Sequence, residues 1–212
     1  MKKHVWVCFL ALLMTGCASS YLTNSRTFSQ EKKPYNKIVV IGVSKSRLTR
    51  SQFEQDVADG LTARGVNAVP SYNSGIEIPM DGTLSDGQAA EVNRQLLAAG
   101  FDGAVVTNLV DASQYTDVIP GNTYTGYYPV RYGRFGRYAT YYPVQTWEPD
   151  RMVTGTKYVL ESCLYALDDG QQDNLQWVGM FELKDPSNLK KVTAKYAAEL
   201  SEELLKQSIA VQ

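Results

Sequence analysis

Histidine is almost missing from this chain. The single one, His4, lies among the first sixteen residues, and none follows it. That removes the usual general base at neutral pH, the familiar nucleophilic triads and most zinc or copper sites. Cysteine is nearly as scarce, with Cys8, Cys17 and Cys163 only. There is no Gly-x-x-x-x-Gly-Lys phosphate loop and no Gly-x-Ser-x-Gly elbow. Charge of either sign is not in excess: 21 Lys and Arg against 22 Asp and Glu give a net −1. The electrostatic footprint of a nucleic-acid binder is therefore absent. Neither a cofactor nor a metal is implied.

What is present begins at the N-terminus. Lys2 and Lys3 precede an apolar run from Val5 to Met14, and small residues then lead to Cys17 in Met14-Thr15-Gly16-Cys17. This is the pattern of an export signal, too short for a spanning helix. The ending resembles the lipobox of bacterial lipoproteins. The resemblance implies cleavage before Cys17, a diacylglyceryl group on its sulfur and acylation of its amine. Two or three chains anchor a protein stably where one does not, at roughly 0.8 kcal/mol per buried methylene. Ala18 and Ser19 follow the cysteine, with no aspartate, which in Gram-negative lipoproteins implies the periplasmic face of the outer membrane. Removing the signal takes away Lys2 and Lys3, leaving 19 bases against 22 acids, or −3. Cys163 then has no partner for an intramolecular disulfide.

Composition supports one folded domain after the signal: 44% of residues are hydrophobic and 20% charged. The expected organisation is a signal at 1–16, the lipidated cysteine and a tether at 17–36, and one domain at 37–212. The tether is polar and carries Glu31-Lys32-Lys33-Pro34; fully extended it spans about 65 Å, unless Thr27-Phe28-Ser29 adds an edge strand. Lys37 to Val43 is a β-branched run suited to a strand covered on both faces. Thr49-Arg50-Ser51-Gln52 has the form of a capping box, Phe53, Val57 and Leu61 recur every four residues, and Gly65 is a helix stop. Val66–Val69 reads as a second strand, ended by Pro70. The plan repeats with Ser85-Asp86-Gly87-Gln88, an Ala89, Val92 and Leu96 face, Gly100 and a third strand at Ala104–Val110. Two consecutive βα units imply right-handed crossovers and a parallel sheet. Tyr158–Leu167 and Leu175–Leu183 read as an antiparallel hairpin turning at Asp168-Asp169-Gly170. Asp185-Pro186 opens a last helix with the stripe Leu189, Val192, Tyr196, Leu200, Leu204 and the outer pairs Lys195/Glu199 and Glu202/Lys206. The fold class is α/β: a two- or three-layer sandwich, βαβαβ–insertion–ββα, around a mixed sheet.

The insertion, 111–155, holds eight of the 14 tyrosines. Tyr127-Tyr128-Pro129-Val130 returns as Tyr141-Tyr142-Pro143-Val144, with Arg131, Tyr132, Arg134, Arg137 and Tyr138 between the copies. A turn at Gly133–Gly136 would set Tyr128 opposite Tyr141 and Tyr127 opposite Tyr142, pairs worth about 0.2–1 kcal/mol each. The prolines confine the hairpin to an edge or a protrusion. From Tyr124 to Trp147 there are three arginines and no acids. Tyrosine and arginine dominate binding hot spots, so these residues either form a contact surface or are a loop packed back on the domain.

Other patterns favour structural roles. Ser187-Asn188-Leu189-Lys190 fits Ser-x-x-Lys of penicillin-recognising enzymes, but Ser71-Tyr72-Asn73 precedes it and Lys-Thr-Gly is missing. Asp168, Asp169 and Asp173 lack a calcium-loop pattern. Cys163 reads as a small core residue, Glu161 as a satisfied partner, Asp102 as a turn residue and Trp177 as a core anchor. By element order, Lys37 to Gln207 resembles the small α/β envelope domains related to the N-terminal domain of TolB and to lipoprotein activators of penicillin-binding proteins. That resemblance implies a non-catalytic binding or assembly role toward an envelope protein or peptidoglycan. The competing expectations are a histidine-free hydrolase or transferase using carboxylates such as Glu161 or Asp102, and a structural lipoprotein that self-assembles through the hairpin.

Overall fold

The computed structural model describes residues 19–79, 85–132, 138–168 and 175–211. Cys17 and the signal lie outside them, as do Arg134, Arg137 and Asp169 to Asp173. The chain divides into two compact units, one made of 1–111 and 158–212 and the other of 112–157.

The first unit is an α/β sandwich on a mixed sheet. Its strands are β1 (Leu22–Thr27), β3 (Ile38–Val43), β4 (Ala68–Pro70), β5 (Gly103–Ile119), β8 (Arg151–Ala166) and β9 (Leu175–Lys184), in the order β1-β9-β8-β5-β3-β4. The two short strands β2 (Lys33–Pro34) and β10 (Ile209–Ala210) pair separately and parallel. β3 is parallel to both β4 and β5. The Leu167 N–H donates to the Asp102 carbonyl (2.9 Å), joining the end of β8 to the start of β5, so these two run antiparallel. β1 is antiparallel to β9.

Three helices cover the described sheet: α1 (Arg47–Thr62), α2 (Asp86–Ala98) and α3 (Leu189–Gln207). β4 and β5 flank β3 on opposite sides, so the two crossovers run in opposite directions. Right-handed connections then place α1 and α2 on opposite faces. The burial of β3 shows the result. Ile38 and Val40 face a core with Val57, Leu61, Tyr196 and Leu200, whereas Val39 and Ile41 face Leu96 and Phe101. α1 and α3 cross closely at Gly60, where a Cβ would come within 2.8 Å of Ser201 Oγ.

The helix boundaries refine the sequence expectations. Ser85 and Gln88 form the reciprocal capping box as expected. The first helix starts a turn earlier than Thr49: Ser46 is its N-cap and accepts from the Thr49 N–H. Asn188, rather than Asp185, caps α3, accepting from the Lys191 N–H at 3.0 Å. Gly65 and Gly100 take positive φ values of 87° and 81°, which suits glycine after a helix end. Lys195 pairs with Glu199 at 3.7 Å, and Lys206 pairs with Glu203 rather than with Glu202.

The stretch expected as a tether forms β1 and β2. Hydroxyl and amide groups of β1 meet a row of acceptors spaced four apart on α3. Glu199 accepts from the Ser20 hydroxyl and from the Tyr21 and Leu22 N–H groups at 2.7–3.1 Å. Glu203 accepts from the Ser25 hydroxyl (2.9 Å) and Gln207 from the Thr27 hydroxyl (2.7 Å). Lys195 Nζ lies 4.0 Å from the Tyr21 ring centroid.

Candidate binding surface

The second unit holds the distal part of β5, the proximal part of β8, and the two strands between them, β6 (Thr123–Tyr132) and β7 (Tyr138–Trp147). β6 and β7 form a two-stranded antiparallel sheet of ten rungs. Both strands carry a proline, which fits a ribbon with no third strand. The joint at its base needs glycine, since a Cβ on Gly121 would sit 1.7 Å from the Glu148 carbonyl oxygen. The Gly121 N–H donates to Asp150 Oδ1 at 2.9 Å.

The register differs by one residue from the sequence expectation. Tyr128 lies opposite Tyr142, Pro129 opposite Tyr141 and Tyr127 opposite Pro143. A turn at Gly133–Gly136 presumes an even count; Tyr132 and Tyr138 are in fact opposed, leaving five residues between them. Each of Tyr127 and Tyr141 therefore faces a proline rather than a tyrosine. The same register exposes a longer repeat. Tyr124-Thr125-Gly126-Tyr127-Tyr128-Pro129-Val130 returns as Tyr138-Ala139-Thr140-Tyr141-Tyr142-Pro143-Val144, and the equivalent residues Tyr128 and Tyr142 oppose each other. The ribbon is thus nearly two-fold symmetric about that rung. Sequence reasoning found four of the seven positions; the outlying Tyr124 and Tyr138 were the missed signal.

Hydrogen-bonded rungs follow from one contact. The Glu148 N–H donates to the Asn122 carbonyl (3.0 Å), on the register of β6 and β7. Even-numbered rungs are therefore hydrogen-bonded, and Pro129 and Pro143 stand on alternate rungs, where an N–H would point outward. Each free edge of the ribbon lacks a donor at its proline. The faces are also fixed by period two: Thr123, Thr125, Tyr127, Pro143, Gln145 and Trp147 share one face, and Tyr124, Gly126, Val144 and Thr146 the other.

No described residue of 112–157 is buried. Tyr127 is 69% exposed and Trp147 73%, whereas Trp177 of the first unit is fully enclosed. Of the predicted surface, Tyr128, Arg131, Tyr132, Tyr138, Tyr141 and Tyr142 lie in β6 and β7. Arg134 and Arg137, and the lipidation residue Cys17, fall outside the described residues.

Of the residues considered for chemistry, Glu161 lies beside Cys163 on β8 and interacts with it, while Asp102 and Asn188 hold structural hydrogen bonds. Asp102 accepts from the Asn36 N–H and side-chain amide (2.8 Å each) and from the Lys37 N–H (3.0 Å). Cys163 is buried, and burial pushes its thiol up to about 11, away from thiolate reactivity. Asn188 of the Ser-x-x-Lys segment is a helix cap. Among the described residues no cluster of His, Cys, Asp and Glu could hold a metal ion.

One buried acid was not anticipated. Glu54 is fully enclosed; it accepts from the Gly42 and Ser71 N–H groups at 3.0 Å each and from the Ser71 hydroxyl at 2.7–2.8 Å. Arg50 Nε lies 3.7 Å away. Its spacing to Val57, Ala58 and Leu61 put it on the apolar face of α1, which was the signal available. It joins the ends of β3, α1 and β4. A second buried group links β5, β8 and α3: the Thr107, Ser162 and Tyr196 hydroxyls form a chain, with 2.6 Å between the last two. Burial holds the Tyr196 phenol well above its ordinary value. Both networks brace the first unit.

Compared with known proteins, the chain matches no family model and no curated protein. Solved structures give distant likenesses. A PelC dodecamer from Paraburkholderia phytofirmans is 11% identical, with a TM-score of 0.46 over 88% of this chain and 97% of that one. A single-substitution variant of that PelC dodecamer, in another crystal form, scores 0.45 at 11% identity, over 88% of this chain and 99% of that one. A PDZ domain protein from Parabacteroides distasonis is 9% identical, with a TM-score of 0.36 over 84% of this chain and 33% of that one. None of these identifies a family or a ligand.

Proposed function

We propose that this chain is a lipid-anchored, non-catalytic binding or assembly factor on the periplasmic face of the outer membrane. Its 112–157 ribbon is the contact surface for an envelope protein or peptidoglycan. The observation that carries this reading is that the 112–157 unit exposes Tyr124, Tyr127 and Trp147 while none of its described residues is buried. A two-stranded ribbon is marginal in water by itself, and tyrosine and tryptophan supply large contact area at low entropic cost. Support against the hydrolase reading comes from Asp102, whose carboxylate already accepts three hydrogen bonds.

The anchor belongs to the same proposal. Acylated at Cys17, the chain enters the fold almost at once, because Ser20 and Tyr21 are held by Glu199. The domain then lies within a few residues, about 10 Å of chain, of the bilayer rather than at the end of a long tether. Replacing Cys17 by Ser should abolish incorporation of labelled palmitate; equal labelling of mutant and parent would remove the anchor. A photocrosslinking side chain at Tyr127 or Trp147 should capture envelope partners in cells, and one at Leu48, exposed in the first unit, should not. Capture equal at all three sites would contradict the assignment of the surface.

A further inference from the structure

We infer that the end of the first unit bearing the N-termini of α1 and α3 rests on the bilayer. Leu48 and Leu189 are its apolar contacts, and Lys45, Arg47, Lys190 and Lys191 face anionic phospholipid headgroups. The inference rests on the reading of Cys17 as a lipid anchor and adds the surface by which the folded unit meets the membrane.

The two helices and the anchor share one end of the unit. α1 and α3 lie side by side and run parallel: the Thr193 hydroxyl donates to Asp56, and Gly60 lies against Ala197 and Ser201. At 1.5 Å per residue, Leu48 stands about 12 Å before Asp56 and Leu189 about 6 Å before Thr193, so the leucines fall within about 6 Å of one level. β1 runs beside α3 in the same direction, with Ser20 and Tyr21 at Glu199 and Thr27 at Gln207. The Ser19 carbonyl accepts from Lys195. From Lys195 to Leu189 is about 9 Å, and the two residues from Ser19 back to Cys17 reach about 7 Å. The chain therefore leaves the fold toward this end.

The chemistry of the end suits a lipid surface. Leu48 is 75% exposed and Leu189 42%. Lys45, Arg47, Lys190 and Lys191 are exposed beside them. Segments 43–50 and 182–191 together carry six bases (Lys45, Arg47, Arg50, Lys184, Lys190 and Lys191) against two acids (Glu182 and Asp185), in a chain whose net charge is −1. Neither helix has an acid in its first turn. Cations there oppose the helix dipole, so helix stability does not account for them. Exposed leucines among cations are what an interfacial surface needs, and headgroup charge acts within about 10 Å. Acyl chains on Cys17 bring the bilayer inside that range.

Fluorescence of the acylated full chain in vesicles of phosphatidylethanolamine and phosphatidylglycerol tests this. A polarity-sensitive nitrobenzoxadiazole label is placed at Leu48→Cys, at Leu189→Cys, or at Ala63→Cys, which is exposed at the far end of α1, about 22 Å from Leu48. Cys163 is buried and stays unlabelled. The first two labels should shift to the blue and be quenched by doxyl-labelled lipid, and the Ala63 label should do neither. Reversing Lys45, Arg47, Lys190 and Lys191 together to Glu should return both labels to the Ala63 level. The melt should hold, since acids suit the first turn of a helix. Labels at Leu48 and Leu189 quenched no more than at Ala63 would overturn the inference, as would a charge-reversed chain quenched like the parent. A blue shift that appears only when envelope proteins are added would give the surface to a protein and overturn it too. An acylated chain that floats with the vesicles but keeps both labels in water sinks this inference alone. A chain whose mass shows no acyl group sinks the anchor as well.

Discussion

Trp177 and Trp147 mark the two ways this chain uses the same residue. Trp177 lies at full burial among Phe181, Leu183 and the helices, and Trp147 stands 73% exposed in a unit of which no described residue is buried. In the first unit, strand formation and burial coincide: β3 supplies both cores through alternate residues. In the second, strands form with none of the described residues buried, on β-propensity and cross-strand pairing. Among the described residues of the second unit none is buried, so internal packing does not account for the exposed Tyr124, Tyr127 and Trp147.

The comparison can be broken most forcefully at the two tryptophans. Trp177→Ala should cost about 3–5 kcal/mol of stability, the usual range for a buried aromatic. Trp147→Ala, measured by denaturant unfolding of dilute chain, should stay within about 0.5 kcal/mol of the parent. Similar losses at both sites would mean that the ribbon has a core of its own. Next in size is Glu54→Ala, which strands the Gly42 and Ser71 N–H groups and should cost about 3 kcal/mol. An unchanged melt would show that the bracing role assigned to this acid is wrong.

Gly121→Ala tests the joint at the base of the ribbon, within the second unit. The new Cβ meets the Glu148 carbonyl, so hydrogen exchange over 123–147 should quicken about tenfold or more while the first unit keeps its protection. Smallest is the cap. Ser46→Ala and Ser85→Ala should each cost about 1 kcal/mol, and Thr49→Ala less than either, because Thr49 lies inside α1. A larger loss at Thr49 than at Ser46 would restore the later helix start.

The regular part of the fold was legible because local signals and tertiary packing agree there. The β-branched run of β3, the Ser85 capping box and the glycines at 65 and 100 each act within a few residues. β1 was not legible as a docked strand, since its partners Glu199, Glu203 and Gln207 lie about 180 positions away and its own residues are polar. The ribbon's composition was legible, and its prolines gave the absence of further strands. Its register was not, because one residue more in the turn shifts every pair, and Tyr128 and Tyr141 lost their expected pairing. Glu54 was hidden by the habit of reading acids as solvent-facing, although its helical spacing placed it with Val57 and Leu61.

The central claim is that the ribbon binds and the first unit supports it. The most direct measurement replaces Gly121–Trp147 with a short Gly/Ser link in the acylated chain, then compares thermal melts and crosslinked partners recovered from envelopes. The account predicts a nearly unchanged melt together with loss of the partners captured by the parent. A shortened chain that still recovers every one of those partners, or that fails to fold, would contradict it.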